Sequence, residues 1–295
     1  MIKINKRNLT KQFILNVLFA VLCVLIAYPF FLILMASLTP EKDLAQFGYM
    51  LIPKRLTLDA YKYVLEDSTT VLNGYKVTAI TSVITMITSV LFMAATAYPL
   101  ARKGFRGKRF VSVYLFFTML FSGGMVPSYI LITQYLKLTD TYFAHILPAL
   151  MNVWYIFMMR TFMQDIPNEI FESAEIDGAN EFLIFFRIVI PLAKPVLATV
   201  ALFMFLGKWN DWMTSMLYIN DQNLISLQYL LQRVLKEIQL VLQNQDYSAN
   251  IDIESLPSET ARMAMAIIVA GPALFVFPFF QKYFVKGLTV GSVKG

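Results

Sequence analysis

The sequence predicts an all-α membrane protein with six transmembrane helices, and composition and hydropathy together carry that prediction. Of the 295 residues, 58% are apolar and 15% are charged. Soluble domains average about 45–50% apolar and about 25% charged residues. The apolar residues also fall into six separate runs, each close to the length of about 20 residues that an α-helix needs to cross a bilayer.

The predicted spans are 13–37, 77–100, 110–132, 143–159, 196–219 and 263–284. The first span follows basic residues, as a signal peptide would. Its apolar run of about 25 residues exceeds the usual 7–15, and no A-x-A cleavage site follows it, so we interpret it as a span. The fifth span contains two charged residues that stand three apart and are expected to pair, Lys208 and Asp211.

Basic residues are distributed unevenly between the connecting segments, and this predicts the orientation. The N-terminus, the segments after spans two and four and the C-terminal tail hold 15 of the 25 Lys and Arg. The remaining loops, 38–76, 133–142 and 220–262, hold nine, with 12 of the 19 acidic residues. Because Lys and Arg concentrate in cytoplasmic loops, residues 1–12, the C-terminus and segment 165–191 are predicted to be cytoplasmic, and loop 220–262 extracellular.

The cytoplasmic segment 165–191 is predicted to form a helical hairpin. Residues 165–168, Asp-Ile-Pro-Asn, are typical of a helix start with capping side chains and a proline in the first turn. Gly178 is expected to end this helix with a positive φ. A second helix is expected over 181–190, and Pro191 and Pro195 are expected to break it.

The first helix of this hairpin has an apolar face. Phe171, Ala174 and Gly178 stand three and four residues apart, and Ile170 flanks them. Two interpretations are open: the face packs on the protein's own spans, or it projects as a knob into another protein.

The motif in this segment resembles a known signature. Glu-Ser-Ala-x-x-x-Gly at 172–178, followed after nine residues by Ile-x-Ile-Pro at 188–191, resembles the EAA signature of permease subunits of bacterial ATP-binding-cassette (ABC) importers. In that signature Ser173 is an alanine and Ile190 a leucine. The resemblance extends over essentially the whole chain to sugar permeases similar to the maltose permease G subunit. It is strongest to the subgroup named after lipoprotein-linked and rhamnogalacturonan-type oligosaccharide importers of Gram-positive bacteria.

The resemblance implies the type I ABC importer permease fold over residues 13–295 and a function. The chain would be a multi-pass plasma-membrane subunit in a Gram-positive bacterium, importing an oligosaccharide or related glycan fragment by alternating access. Its expected partners are a second homologous permease, two ATPase subunits, an extracellular solute-binding lipoprotein and membrane lipid. The segment 165–191 would be the coupling segment. Glu172, Ala174 and Gly178 carry over from the signature, and we add Ile170, Phe171 and Asp177 from the same helix and its end.

Three places in the spans are candidates for the substrate pathway, and those in spans three and five have a structural alternative. Gly123 and Gly124 would line a pathway where they break span three, or would mark a kink at a helix contact. In span five, polar groups within the membrane favour a bundle interior or water. In the family that the chain resembles, however, a Trp-Asn-acid pattern occurs at this place whatever the sugar, which favours a structural or gating role. The candidate residues are Gly123, Gly124, Asn152, Trp154, Tyr155, Trp209, Asn210 and Asp211.

The sequence contains no signature of chemistry in this chain. Gly107-Lys108 is followed by Arg109 and lacks the preceding glycine of a P-loop, so ATP and Mg²⁺ are expected on the ATPase subunits, with no cofactor here. One His and one Cys provide no catalytic constellation, metal site or internal disulfide, and no nucleic-acid partner is expected.

The main alternative is a secondary transporter driven by an ion gradient. That class predicts an internal repeat with paired broken helices or carboxylates in both halves, whereas only span three is clearly broken. The loop 220–262 is expected to contain an amphipathic helix over 224–242, with Leu227, Leu230 and Leu231 on its apolar side. That loop would face the solute-binding protein, cap the bundle, or do both.

Overall fold

A computed structural model describes residues 6–66, 68–243 and 258–291, and all regular secondary structure in these ranges is helical. The chain divides into two compact units. One holds the described residues of Met1–Ser68 and Arg233–Ala270, and the other those of Thr69–Gln232 and Gly271–Gly295. The all-helical class predicted from the sequence is confirmed. The polar stretch 244–257 of the predicted outer loop lies outside the described residues.

The first unit begins with the apolar helix predicted as span one. Helix α1 is Lys6–Ser37, and its side chains from 11 to 31 are exposed on every side, as expected for a helix that lies in lipid or against another subunit. Two short helices follow, α2 (Glu41–Phe47) and α3 (Asp59–Val64). The α1 end is tied to α3, because Ser37 and Tyr61 share a hydrogen bond of 2.8 Å.

A carboxylate caps the start of the last helix within this same unit. Glu41 accepts hydrogen bonds from the backbone N–H groups of Glu259 (3.0 Å) and Thr260 (2.9 Å) and from the Thr260 hydroxyl (2.6 Å). These groups begin helix α15 (Ser258–Gly291). A helix N-terminus carries unsatisfied N–H groups and a positive dipole end, so an anion there is stabilising.

The helical residues between Thr69 and Gln232 belong to the second unit. Helix α4 is long, with 34 residues, and shorter helices separated by breaks follow it. They are α4 (Ser68–Ala101), α5 (Lys108–Leu120), α6 (Met125–Ile130) with a π-helical turn (Leu131–Tyr135), α7 (Tyr142–Ile146) with a 3₁₀ turn (Leu147–Ala149), and α8 (Val153–Gln164).

The hairpin region and the outer helices come next. Their bounds are α9 (Asn168–Ile176), α10 (Glu181–Ile184) with a π-helical turn (Phe185–Val189), α11 (Ile190–Leu192), α12 (Lys194–Trp209), α13 (Met213–Tyr218), a 3₁₀ turn (Gln222–Leu224) and α14 (Leu227–Gln243). Helix α14 matches the predicted amphipathic helix, because Leu227, Leu230 and Leu231 are buried.

Three helices among the described residues are long and apolar enough to cross a membrane. They contain Lys11–Ser37, Thr69–Ala101 and Glu259–Phe280. Three bent pairs raise the number to six if each pair is one span: 108–135 is bent by 108°, 142–164 by 51° and 181–209 by 79°. The structure therefore accommodates six spans, and the number and orientation of the spans stay predictions.

The predicted fifth span is wrong as one continuous helix. Helix α12 ends at Trp209, and the chain restarts as α13 at Met213. The cause is Asp211, whose carboxylate accepts from the backbone N–H of Thr214 at 3.0 Å and so caps the new helix. The break expected at Pro191 and Pro195 lies between them: the helical path continues through Pro191 to Leu192 and restarts as α12 at Lys194, with a bend of 79°. A π-helical turn precedes the break, and in it the Ile190 N–H bonds to the Phe185 carbonyl.

A hydrophobic core of the second unit lies where the hairpin meets the spans. It joins the ends of α4 and α8 to α9, the π-helical turn and the start of α12. Met93, Ile156, Met159, Ile184 and Val189 are fully buried there. The hairpin is thus an integral part of the core of this unit.

Candidate functional site

The tip of the hairpin is built by a glycine. Gly178 has φ +77°, and its N–H bonds to the Glu175 carbonyl at 3.0 Å. The Ala179 N–H bonds to the Ala174 carbonyl at 2.9 Å. This pair of bonds is the Schellman closure of a helix C-terminus, which requires a left-handed residue. The prediction that Gly178 ends the helix with a positive φ is confirmed.

The first hairpin helix lacks its predicted cap, and the second has a side-chain cap. Pro167 occupies the cap position of α9 and offers no side-chain hydrogen bond, so the expected capping side chain at 165–168 is wrong. Asp165 instead ends α8. The second helix is capped by Asn180, whose side-chain oxygen accepts from the Leu183 N–H at 2.9 Å.

The apolar face of α9 is turned into the protein. Phe171 is 5% exposed and Ala174 is 8% exposed, and both belong to the core cluster. Ile170 is half-buried against the same cluster. Of the two interpretations left open for this face, the placement favours packing on the protein's own spans, and the coupling role of Phe171 and Ala174 stays a prediction. The intramolecular interpretation holds for this face, and these side chains support the hairpin from inside.

A clamp of polar side chains joins both arms of the hairpin to the end of α4. The guanidinium of Arg102 donates to Glu175 on the first arm and to Glu181 on the second, the latter at 3.4 Å. It also lies 4.5 Å from the ring centroid of Phe171, a cation–π contact. The Tyr98 hydroxyl donates to Glu181. Because this clamp spans distant parts of the sequence, no local motif predicted it.

The charge of Arg102 is held firmly. Its partial burial by itself lowers the pKa, but the hydrogen bond to Glu175 and the charges of the surrounding anionic groups outweigh burial and raise the pKa above its ordinary value. Arg102 is therefore charged at every physiological pH, and the clamp persists with it.

The outward side of the hairpin is polar with two apolar tips. Ile176 is 85% exposed and Phe182 is 77% exposed, and they flank the turn on its two sides. Glu172, Asp177 and Gly178 are exposed as well. Ile176 and Phe182 were not predicted as site residues from the sequence. The available signal was an isoleucine between two acidic residues of a short helix, where an amphipathic pattern would place a polar residue.

Some of the predicted pathway residues meet at a cavity between α8 and α12. The cavity has a volume of about 280 Å³, and Asn152, Tyr155, Lys208 and Asp211 all line it. Tyr155 stacks on Phe203, with ring centroids 6.1 Å apart and planes within 7°. An aromatic face beside polar groups is the arrangement that a sugar ring would need.

The two charges at this cavity are paired, as expected. The Lys208 ammonium lies 2.6 Å from the Asp211 carboxylate, and the Lys208 side chain is 3% exposed. Asp211 also accepts from the Thr214 hydroxyl and backbone N–H, so its oxygens are well occupied. Asn152 has a structural role too, since its side chain accepts from the Trp154 N–H at 3.0 Å and caps α8.

Other predicted pathway residues lie away from this cavity. Trp154 is 64% exposed, and Trp209 is buried against Phe205. The Asn210 amide bonds back to the Leu206 carbonyl at 2.9 Å. None of these three residues lines the cavity between α8 and α12.

The predicted break in span three is confirmed at residues 121–124, between α5 and α6. Gly124 has φ +86°, and a Cβ placed on it would meet nothing within 4 Å. A Cβ on Gly123 would meet only Pro127 of the next helix, at 3.6 Å. Within the described chain the glycines therefore serve the backbone bend, and no helix packs closely against them.

Candidate metal ligands do not cluster in the described part of the chain, where no group of three His, Cys, Asp or Glu side chains comes together. His145 is buried, and its Nε2 lies 3.1 Å from the Leu224 carbonyl.

The helical architecture and the apolar helices are those of an integral membrane protein. A helical hairpin packs into its core. Residues 91–290 match the family described as the inner membrane component of binding-protein-dependent transport systems. The chain belongs to this family, and the predicted resemblance to ABC sugar-importer permeases is confirmed.

Relatives match over nearly the full length. The chain is 41% identical to Protein LplC of Bacillus subtilis (strain 168), covering 90% of this chain and 89% of the relative. It is 37% identical to the polygalacturonan/rhamnogalacturonan transport system permease protein YtcP of the same organism, covering 94% and 95%. A solved bacterial ABC transporter involved in the import of the acidic polysaccharide alginate contains a chain with a TM-score of 0.78 and 28% identity, covering 95% of this chain and 98% of that one.

Proposed function

We propose that this protein is a transmembrane subunit of an ATP-driven importer that moves an oligosaccharide or related glycan fragment across the plasma membrane. The observation that carries the proposal is a core-packed hairpin with an exposed tip in a chain of the binding-protein-dependent permease family. The relatives named for polygalacturonan/rhamnogalacturonan and arabinooligosaccharide transport support the substrate class.

The hairpin is proposed to couple this subunit to an ATPase. Its inner face is fixed by Phe171 in the core and by the Arg102 clamp. Its outer face offers Ile176 and Phe182 as apolar contacts within an acidic surround. When a partner moves the exposed apolar side chains, a hairpin packed in this way moves as one body and displaces α4 and α12 with it, because its core contacts stay intact. Alternating access would follow as the spans rock.

The substrate pathway is proposed to pass the cavity between α8 and α12. Tyr155 supplies an aromatic face there, and the paired Lys208 and Asp211 supply polar atoms without net charge. The broken segment 121–124 is proposed to line the same route, since non-helical backbone at membrane depth is tolerated where it borders a cavity or protein.

The rest of the assembly is proposed from the family. A second homologous permease completes the pore, two ATPase subunits bind ATP and Mg²⁺, and an extracellular lipoprotein delivers the glycan. This chain would contribute six spans with both termini in the cytoplasm of a Gram-positive bacterium, and no catalytic group.

A variant at the hairpin tip tests this function. The complex is purified with its partner subunits in nanodiscs, and ATPase activity is measured with and without glycan-loaded binding protein. Ile176→Asp should abolish the stimulated activity or the retention of the ATPase. Leu58→Asp is the matched control: Leu58 is 57% exposed in a loop predicted on the other side of the membrane, and its variant should behave as wild type.

Normal stimulation of Ile176→Asp, with the ATPase retained, would contradict coupling through this tip. Family membership favours the ATP-driven importer over the ion-gradient alternative. Uptake that continues without ATP and collapses with the ion gradient would restore that alternative.

A further inference from the structure

The end of α4 borders two cavities beside the hairpin to which the proposed transport function gives no role. Thr69–Ala101 is long and apolar enough to cross the membrane, so Arg102 begins a membrane boundary whichever way the helix is oriented. The following loop, 102–109, contains five Lys and Arg and no acidic residue. Two cavities adjoin at this boundary, because Tyr98 and Arg102 line both of them.

The first cavity is apolar. Its volume is about 610 Å³, and its lining includes four phenylalanines, Phe105, Phe182, Phe185 and Phe186. Phe182 is 77% exposed and Phe186 is 56% exposed. Exposed aromatic rings around a concave surface favour an apolar ligand. At a membrane boundary the hydrocarbon chain of a lipid is the apolar group at hand.

The second cavity is basic. Its volume is about 200 Å³, and Arg102, Lys103 and Lys108 line it. Arg102 is already bonded to Glu175 and Glu181. Within the described ranges, no carboxylate lies within ion-pair distance of Lys103 or Lys108. Two neighbouring ammonium groups without a counter-ion favour an anionic ligand.

We propose that the two cavities bind one anionic phospholipid, with its phosphate at Lys103 and Lys108 and an acyl chain against the rings of Phe105 and Phe186. A ligand that fills both cavities needs an acidic headgroup for the basic cavity and an apolar tail for the phenylalanine-lined cavity. Basic pockets beside the ends of spans bind acidic lipid headgroups. Glu181 also lines the apolar cavity, but its carboxylate accepts hydrogen bonds from Tyr98 and Arg102 and is thereby compensated.

Lipid titration tests the proposal without any transport readout. The full-length chain is purified in detergent with the subunits that accompany it, stripped of lipid and titrated with phosphatidylglycerol, and bound lipid is counted by native mass spectrometry. One phosphatidylglycerol should bind about ten-fold or more tightly than phosphatidylcholine of the same chains, which has no net charge. Equal binding of the two lipids, or no stoichiometric lipid in the complex, would overturn the site.

Paired variants distinguish a built site from general attraction. Lys103→Gln/Lys108→Gln should weaken phosphatidylglycerol binding about 25-fold, since each lysine near a lipid surface contributes about 1 kcal/mol, or about five-fold. Arg106→Gln/Arg109→Gln removes the same charge from exposed positions of the same loop that line neither cavity. Its effect should stay below about three-fold. An equal loss in both double variants would mean general attraction and would sink the proposal.

A third experiment distinguishes binding of the whole lipid from binding of its headgroup alone. Phe186→Ser should weaken binding, and Phe110→Ser, at a 78% exposed position outside both cavities, should not. Glycerol 3-phosphate, the soluble headgroup, should not displace the lipid at equal concentration. Equally strong binding of glycerol 3-phosphate would show a phosphate site in which the apolar cavity takes no part.

Discussion

Replacing Arg102 by methionine should loosen the hairpin without unfolding the protein. Methionine keeps an apolar stem over Phe171 and removes the guanidinium that bonds Glu175 and Glu181. The two carboxylate side chains are 48% and 62% exposed, so water can solvate them once Arg102 is gone. The variant therefore leaves no buried charge unpaired.

The magnitude follows from these contacts. Each solvent-screened ion pair contributes about 0.2–1 kcal/mol, and the cation–π contact at 4.5 Å contributes about 0.5–1 kcal/mol. Their loss should cost the packed hairpin about 1–3 kcal/mol, which is about a 5- to 150-fold change in its opening equilibrium. Tyr98 still donates to Glu181, so the second arm should loosen less than the first.

Hydrogen exchange measures this opening directly. The amides of Gly178 and Ala179, which close α9, should exchange faster by that factor in Arg102→Met. Arg106→Met is the control, because Arg106 is exposed and lies outside the clamp. If exchange of residues 168–184 is the same in wild type and Arg102→Met, the clamp does not hold the hairpin and the reasoning fails.

Three further perturbations follow from single contacts. Gly124 has φ +86° and ψ −175°, a region essentially restricted to glycine, so Gly124→Ala should cost about 1–3 kcal/mol. It should lower the thermal unfolding midpoint in detergent, whereas Gly123→Ala should not; equal midpoints would refute this account of the bend. Backbone N–H donors lower the pKa of Asp140, so its stabilisation is present above its unfolded pKa and lost as pH falls through its lower folded pKa. Asp140→Asn should therefore reduce stability at pH 7 and have less effect in acid, and a pH-independent difference would argue against it. Asp211→Asn leaves the buried Lys208 ammonium without its partner and should cost about 3–5 kcal/mol. The double variant with Lys208→Met should be more stable than Asp211→Asn alone in chemical unfolding, and a double variant of equal or lower stability would contradict the pairing argument.

Local sequence signals predicted the features that depend on neighbouring residues. The turn at Gly178, the break at residues 121–124 and the Lys208–Asp211 pair each lie within a few positions of their cause. Helix α14 was predicted by its hydrophobic period. Such features are set by backbone sterics, capping and periodicity, which act over one or two turns.

Features that depend on distant partners could not be predicted in this way. Arg102 and Glu175 are 73 residues apart, and Glu41 reaches a helix start 218 residues away. The direction of the α9 apolar face depended on the same long-range packing, which is why the sequence left both directions open for Phe171, and it lies inside. The restart of the helix in the fifth span depended on Asp211. That residue was interpreted as a charged group in the membrane and not as a helix cap.

Site-specific crosslinking at the hairpin tip tests the central claim most directly. The single cysteine, Cys23, is replaced by alanine, and Ile176→Cys, at an 85% exposed position, is introduced into the complex with its ATPase subunits. A maleimide that carries a photoreactive benzophenone is attached to the introduced thiol, and irradiation inserts the benzophenone into a C–H bond of whatever lies beside it. Ile176→Cys should be joined to an ATPase subunit in this way, while Leu58→Cys should give no such product. An intact complex in which Ile176→Cys reacts with a simple maleimide but never links to the ATPase would contradict coupling through the hairpin.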